Sequence, residues 1–178
     1  MSRKSAALIS ILLAAAVCAA YIGLRHPRVR KESQGPPAGS VVQNPAHERA
    51  SLEELLKRRP GHAPILLRLA QLDMEEGQPA AARARLEQLL AQEPANVDAL
   101  IELGRACFEA GDAACAWSST AKALGQNPEH PGALYNMGAL NANQGRFDKA
   151  RELWNRAVRV APGSDGGRKA AEALRRLR

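Results

Sequence analysis

Prolines and glycines in this chain fall on a fixed 34-residue interval. Pro60, Pro94, Pro128 and Pro162 mark it, and Gly77, Gly111 and Gly145 mark it again half a period later. Between these breakers the same apolar positions recur: Leu66, Leu100 and Leu134; Leu69, Leu103 and Met137; Ala70, Gly104 and Gly138; Ala82, Ala116 and Ala150. Each period therefore reads as a helix, a glycine turn, a second helix and a proline stop. A hairpin of this size cannot bury its apolar face alone, so consecutive hairpins must stack. Composition agrees. Aromatics are only 3%, and alanine and leucine carry the hydrophobicity. That suits closely packed helices and argues against a sheet sandwich.

In this period and these positions the chain resembles the tetratricopeptide repeat (TPR) family. The resemblance implies an all-α TPR α-solenoid with three helical hairpins, over residues 63–94, 97–128 and 131–162. A lone amphipathic helix at 47–59 carries Leu52, Leu55 and Leu56. It matches the second helix of a repeat whose first is missing, and is expected to cap the N-terminal end. Residues 165–178 form a second capping helix, started by Ser164 or Asp165. Ala170, Ala171, Ala173, Leu174 and Leu177 are expected to point inward, and the charged residues outward. Small residues at Gly104, Gly138, Ala82, Ala116 and Ala150 belong where the two helices of a hairpin approach closest.

Residues 6–24 hold no charge, and Arg3, Lys4, Arg25, Arg28, Arg30 and Lys31 flank them. Nineteen such residues make a helix of roughly 28 Å, about the hydrocarbon thickness of a bilayer. The expected order is a short tail (1–5), a transmembrane signal-anchor (6–24), a Pro/Gly/Ser-rich flexible linker (25–46) and the repeat domain (47–178). Two other readings of the apolar segment stand beside the anchor. One is a signal peptide cut among Ala14–Ala20, and the other is a lipoprotein acylated at Cys18. With the anchor uncleaved and its short N-terminus inside, the repeats face outward. In a bacterium that is a single-pass inner-membrane protein with a periplasmic domain. The net charge of +7 is concentrated at residues 25–31 and 168–178. The C-terminal basic helix has no interleaved aromatics to stack bases, so no nucleic-acid partner is expected.

Cys107 and Cys115 sit almost symmetrically about Gly111, where residues of an antiparallel helix pair face each other. A disulfide there would clip one hairpin and add about 2 kcal/mol. The alternative is two separate buried thiols. Catalytic chemistry has no visible support. His26, His47, His62 and His130 are isolated, no phosphate-binding loop appears, and Ser118 and Ser119 lack a partner histidine. The expectation is a non-enzyme without cofactor or metal.

TPR resemblance implies a concave groove lined by the first helix of each repeat. Carried over by position, its candidates are Leu67, Gln71 and Met74, then Ile101, Arg105 and Phe108, then Tyr135, Asn136, Ala139 and Asn143. The carboxylate-clamp positions of the chaperone-binding subfamily hold Pro64, Asp98 and Gly132, then Arg68, Glu102 and Asn136. Only Arg68 and Asn136 suit that role, so chaperone-tail binding is not expected. The implied partner is a protein or peptide. An anchor with a short array, and Ala150 and Trp154 followed by Pro162-Gly163-Ser164, also looks like the TPR subunits of bacterial cytochrome c maturation systems. That likeness implies an envelope scaffold that presents a partner chain. Pilus assembly, outer-membrane assembly and a translocon accessory role are the alternatives.

Overall fold

The computed structural model describes residues 45–177, which form eight helices and no strand. They are α1 (Pro45–Arg58), α2 (Ala63–Glu75), α3 (Pro79–Gln92), α4 (Val97–Glu109), α5 (Ala113–Gln126), α6 (Pro131–Asn143), α7 (Phe147–Val160) and α8 (Asp165–Arg176). The pairs α2–α3, α4–α5 and α6–α7 are the three hairpins, with α1 and α8 at the ends. α1 starts at Pro45 rather than at 47, because a proline in the first turn lacks only an N–H that no helical carbonyl would take. The tail, the anchor at 6–24 and nearly all of the linker lie outside the described residues. Among the described residues no helix is long and apolar enough to cross a membrane.

All three hairpins turn in the same way. Gly77, Gly111 and Gly145 take φ of 71°, 80° and 74°, left-handed values that glycine adopts without steric cost. The residue after each glycine donates its N–H back to a carbonyl five residues earlier. These bonds are Gln78 to Asp73 (2.8 Å), Asp112 to Cys107 (2.8 Å) and Arg146 to Asn141 (2.9 Å). The glycines donate to Met74, Phe108 and Ala142. That is the Schellman closure, which satisfies carbonyls a helix end would otherwise leave open.

The helices of a hairpin then cross with almost no gap. Ala82, Ala116 and Ala150 have no exposed surface. A Cβ on Gly104 would stand 2.5 Å from Thr120 Oγ1, and one on Gly138 would overlap the Trp154 indole. The small position and its opposite number are thus matched in each repeat: Gly104 with Thr120, and Gly138 with Trp154. In the first repeat Ala70 shares a core cluster with Leu86.

The carbonyl-bearing position before each turn is buried three times, at Asp73, Cys107 and Asn141. Its side chain is answered differently each time. Asn141 donates to Met137 O at 2.7 Å. Cys107 is bonded to Cys115. Asp73, 1% exposed, accepts from Arg49 of α1 and Arg85 of α3, both at 2.8 Å. Arg49 also reaches Glu76, and Arg68 of α2 grips both oxygens of Glu48 at 2.6 and 2.8 Å. These ions, with Leu52 and Leu56 on Ile65, Leu69 and Leu72, seat α1 on α2. Further along, Arg83 reaches Asp112 of the next hairpin at 2.9 Å. One period later the same two positions hold Trp117 and Arg146, whose guanidinium lies 5.1 Å from the ring centroid. An ion pair at one junction becomes a cation–π contact at the next.

Gly138→Ala should destabilise the protein by about 2 kcal/mol in urea unfolding, since Trp154 fills the space. Gly125→Ala, where a Cβ meets nothing within 4 Å, should be neutral or stabilising by up to about 1 kcal/mol. Asp73→Ala should cost about 3 kcal/mol, because it leaves two partly buried guanidiniums without their shared carboxylate. The midpoint shift in the same titration checks it.

Candidate protein-interaction groove

Neighbouring first helices touch, α2 with α4, α4 with α6, and α6 with α8, so they form one continuous wall. Two adjoining cavities open along its α4–α6–α8 stretch. The larger, of about 410 Å³, is lined by Phe108, Tyr135, Ala139, Ala142, Asn143 and Trp154, and by Lys169, Glu172, Ala173, Arg176 and Leu177 of α8. The smaller, of about 220 Å³, shares Phe108, Tyr135, Ala139 and Lys169 and adds Arg105, Glu109 and Asn136 among others.

Four of the wall residues are fixed by contacts within the fold. Trp154 enters the hairpin only because Gly138 has no side chain, and its Nε1–H donates to Tyr135 O at 3.0 Å. The Tyr135 and Trp154 rings stack at 6.5 Å, which fixes Tyr135 in the groove. Asn136 Nδ2 donates to Ile101 O at 3.0 Å and sets the spacing of α6 on α4. Arg105 pairs with Glu102 at 2.6 Å and lies 3.7 Å from Glu109.

Phe108, 38% exposed, sits on the last turn of α4, immediately above a triply fastened hairpin end. The Cys107–Cys115 disulfide joins α4 to α5 with the Cα atoms 5.7 Å apart. Asp112 caps α5 by accepting from the Cys115 N–H at 3.0 Å, and Arg83 binds its other oxygen. The Cys115 N–H first, and the Arg83 side chain second, hold the Asp112 carboxyl below its usual range.

Of the candidate residues, Arg105, Phe108, Tyr135, Asn136, Ala139 and Asn143 are brought together around these cavities. The other four stand elsewhere. Met74 is 6% exposed and belongs to the core with Leu66, Leu103 and Ala106, where it pads the contact between α2 and α4. Leu67 packs against that core, and Ile101 packs against the cluster of Leu100, Ala123 and Ala133. Gln71 lines neither cavity. Arg68 and Asn136, the two residues that suit a carboxylate clamp, are engaged within the fold by Glu48 and the Ile101 carbonyl.

Helix α8 turns its alanines and leucines inward and its charges to solvent: Ala170 is fully buried, Ala173, Leu174 and Leu177 pack on the cluster around Trp154, and Arg168, Lys169, Glu172, Arg175 and Arg176 are exposed. It is also more than a cap, since Lys169, Ala173, Arg176 and Leu177 form a stripe at helical spacing that walls the larger cavity. The reason is register. Asp165 and Gly166 stand 34 residues after Pro131 and Gly132, so α8 is the first helix of a fourth unit, and first helices line the groove. Gly166 permits this seat, since a Cβ there would come 2.6 Å from the Pro131 and Gly132 backbone. The glycine pair at 166–167 and the 34-residue offset were the signals available in the sequence.

A tetratricopeptide repeat model matches residues 49–86 and 73–116, and a second model of the same description matches 131–164. The chain belongs to the tetratricopeptide repeat family. This TPR protein is similar in structure to MamA residues 41-end from Desulfovibrio magneticus RS-1, with TM-score 0.59 and 21% identity over 69% of this chain and 70% of that one. It is also similar to YrrB, described as a TPR protein with an unusual peptide-binding site, with TM-score 0.61 and 21% identity over 75% and 67%. The first TPR domain of human RPAP3 aligns with TM-score 0.58 and 19% identity over 66% and 91%. At these identities the likeness is one of fold. No curated protein matches the chain.

Replacing both Cys107 and Cys115 by serine should lower stability by about 2.5 kcal/mol, the loop-closure value for so short a ring. The difference in denaturant midpoint between the oxidised parent and the double variant measures it.

Proposed function

We propose that this TPR domain is a non-catalytic protein-interaction module whose α4–α6–α8 groove holds a segment of a partner protein. One observation carries the reading. The chain has only six aromatic residues, and three of them, Phe108, Tyr135 and Trp154, line one cavity. Aromatic side chains in a concave, partly desolvated site are the usual anchors of protein recognition. YrrB, of the same fold, is described by its peptide-binding site.

The finer reading places the domain in the bacterial envelope, tethered by residues 6–24 with the repeats in the periplasm. Their uncharged length supports a membrane segment. The Cys107–Cys115 bond suits an oxidising compartment. Presentation of an apocytochrome segment during cytochrome c maturation is the process favoured by the sequence resemblance, with pilus or outer-membrane assembly and a translocon accessory role as alternatives. The residues behind that resemblance have local duties here. Ala150 and Trp154 pack the third hairpin, and Ser164 caps α8 by accepting from Gly167 N–H at 3.0 Å. The process is therefore decided by the partner.

A pull-down with the full-length protein in detergent, compared with its Phe108→Ala/Tyr135→Ala variant, tests the groove. The expected result is a partner held by the parent and lost by the variant. Capture of the same partners by both would overturn the groove reading. An apocytochrome or a maturation subunit among the groove-dependent partners supports the haem pathway, whereas pilus or outer-membrane components move the protein to that alternative.

A further inference from the structure

One wall of the groove is cationic. Lys169 and Arg176 lie on the groove face of α8, seven residues and so about 10 Å apart along the helix axis. Arg105 adds a third cation from α4. Glu109 and Glu172 border the same cavities, and Glu102 and Asp165 pair with Arg105 and Lys169 from their own helices. Over residues 165–177 cations outnumber carboxylates four to two, so the field on this side is positive.

Among the described residues the cations are held by pairs on their own helices. Lys169 meets Asp165 at 2.6 Å, Arg176 pairs with Glu172, and both cations are substantially exposed. Surface pairs of this kind contribute little to folding. An incoming carboxylate can therefore take either cation without disturbing α8. Between the two cations the helix presents Ala173, and Leu177 follows. The facing wall is Phe108, Tyr135 and Trp154.

Resting on the groove reading above, we infer that the ligand is an acidic segment of a protein, with an aromatic or large aliphatic side chain flanked by carboxylates about 10 Å apart. The apolar side chain enters the aromatic cavity, and the carboxylates bridge Lys169 and Arg176. A chain-terminal carboxylate supplies one anion and cannot reach both cations. Recognition is thus by side chains inside the segment, and an amidated peptide binds as well as a free acid.

A random 14-residue peptide library selected against the full chain in detergent tests this. Binders are resynthesised with amidated ends and measured by fluorescence anisotropy against the parent, Lys169→Gln/Arg176→Gln and Phe108→Ala/Tyr135→Ala. Matching thermal melts show that the variants fold. The expected binders are rich in Asp or Glu around an aromatic or large aliphatic residue, lose about tenfold in affinity on the charge variant, and lose binding on the aromatic variant. Binders that need Phe108 and Tyr135 but ignore Lys169 and Arg176 overturn the ligand class and leave the groove standing. A selection with no binder dependent on Phe108 and Tyr135 overturns both.

Discussion

Each hairpin closes on one backbone hydrogen bond, from the residue after the turn glycine to a carbonyl five residues back. The rest of the solenoid depends on that closure. It fixes where the second helix leaves the turn, and hence which residues face each other where the helices cross. It also places one side chain per repeat, that of Asp73, Cys107 or Asn141, in the interior at the hairpin end. A buried polar group must find a partner or cost free energy. The three solutions differ: two guanidiniums, one from α1 and one from the partner helix α3, a covalent bond within the hairpin, and a backbone carbonyl one turn away. The same geometry is kept while the source of its stability changes from repeat to repeat.

That change also makes the groove local. At the position facing the small residue of the first helix, the three repeats hold Leu86, Thr120 and Trp154. Only the third side chain is long enough to pass the crossing and support Tyr135 from behind. The aromatic cavity therefore arises at the C-terminal end of the array, beside a terminal helix that continues the wall. A fold of near-identical units acquires one distinct site because a glycine and a tryptophan meet in one of them.

Much of this was legible in the residues. The 34-residue spacing of prolines and glycines determines the hairpins and their turns, because φ near +75° needs glycine and a helix must stop before proline. Phe108 and Tyr135 stood out because aromatics are scarce. The wall formed by α8 was not read, since a basic helix at a chain end looks like a solvated cap unless its offset from Pro131 is counted. Spacing does not distinguish Met74 from Phe108, because their shared position on the first helix faces the neighbouring helix in one repeat and the groove in the next. Asp73 gave no warning. An acid among leucines shows its partners only when α1 and α3 are brought to it.

The two ends of the array are held by different forces. α1 is seated on α2 largely by ions, through Arg49 with Asp73 and Glu76 and through Arg68 with Glu48. At the other end Gly166 lies against the α6 backbone, with Ala170, Ala173 and Leu174 in the apolar cluster around Trp154. A dissolved salt such as sulfate shortens the reach of the first kind of contact and strengthens burial of the second. Ionic strength therefore acts on this solenoid directionally. As it rises, the end that follows residue 44 loosens first, while the end that carries the groove tightens.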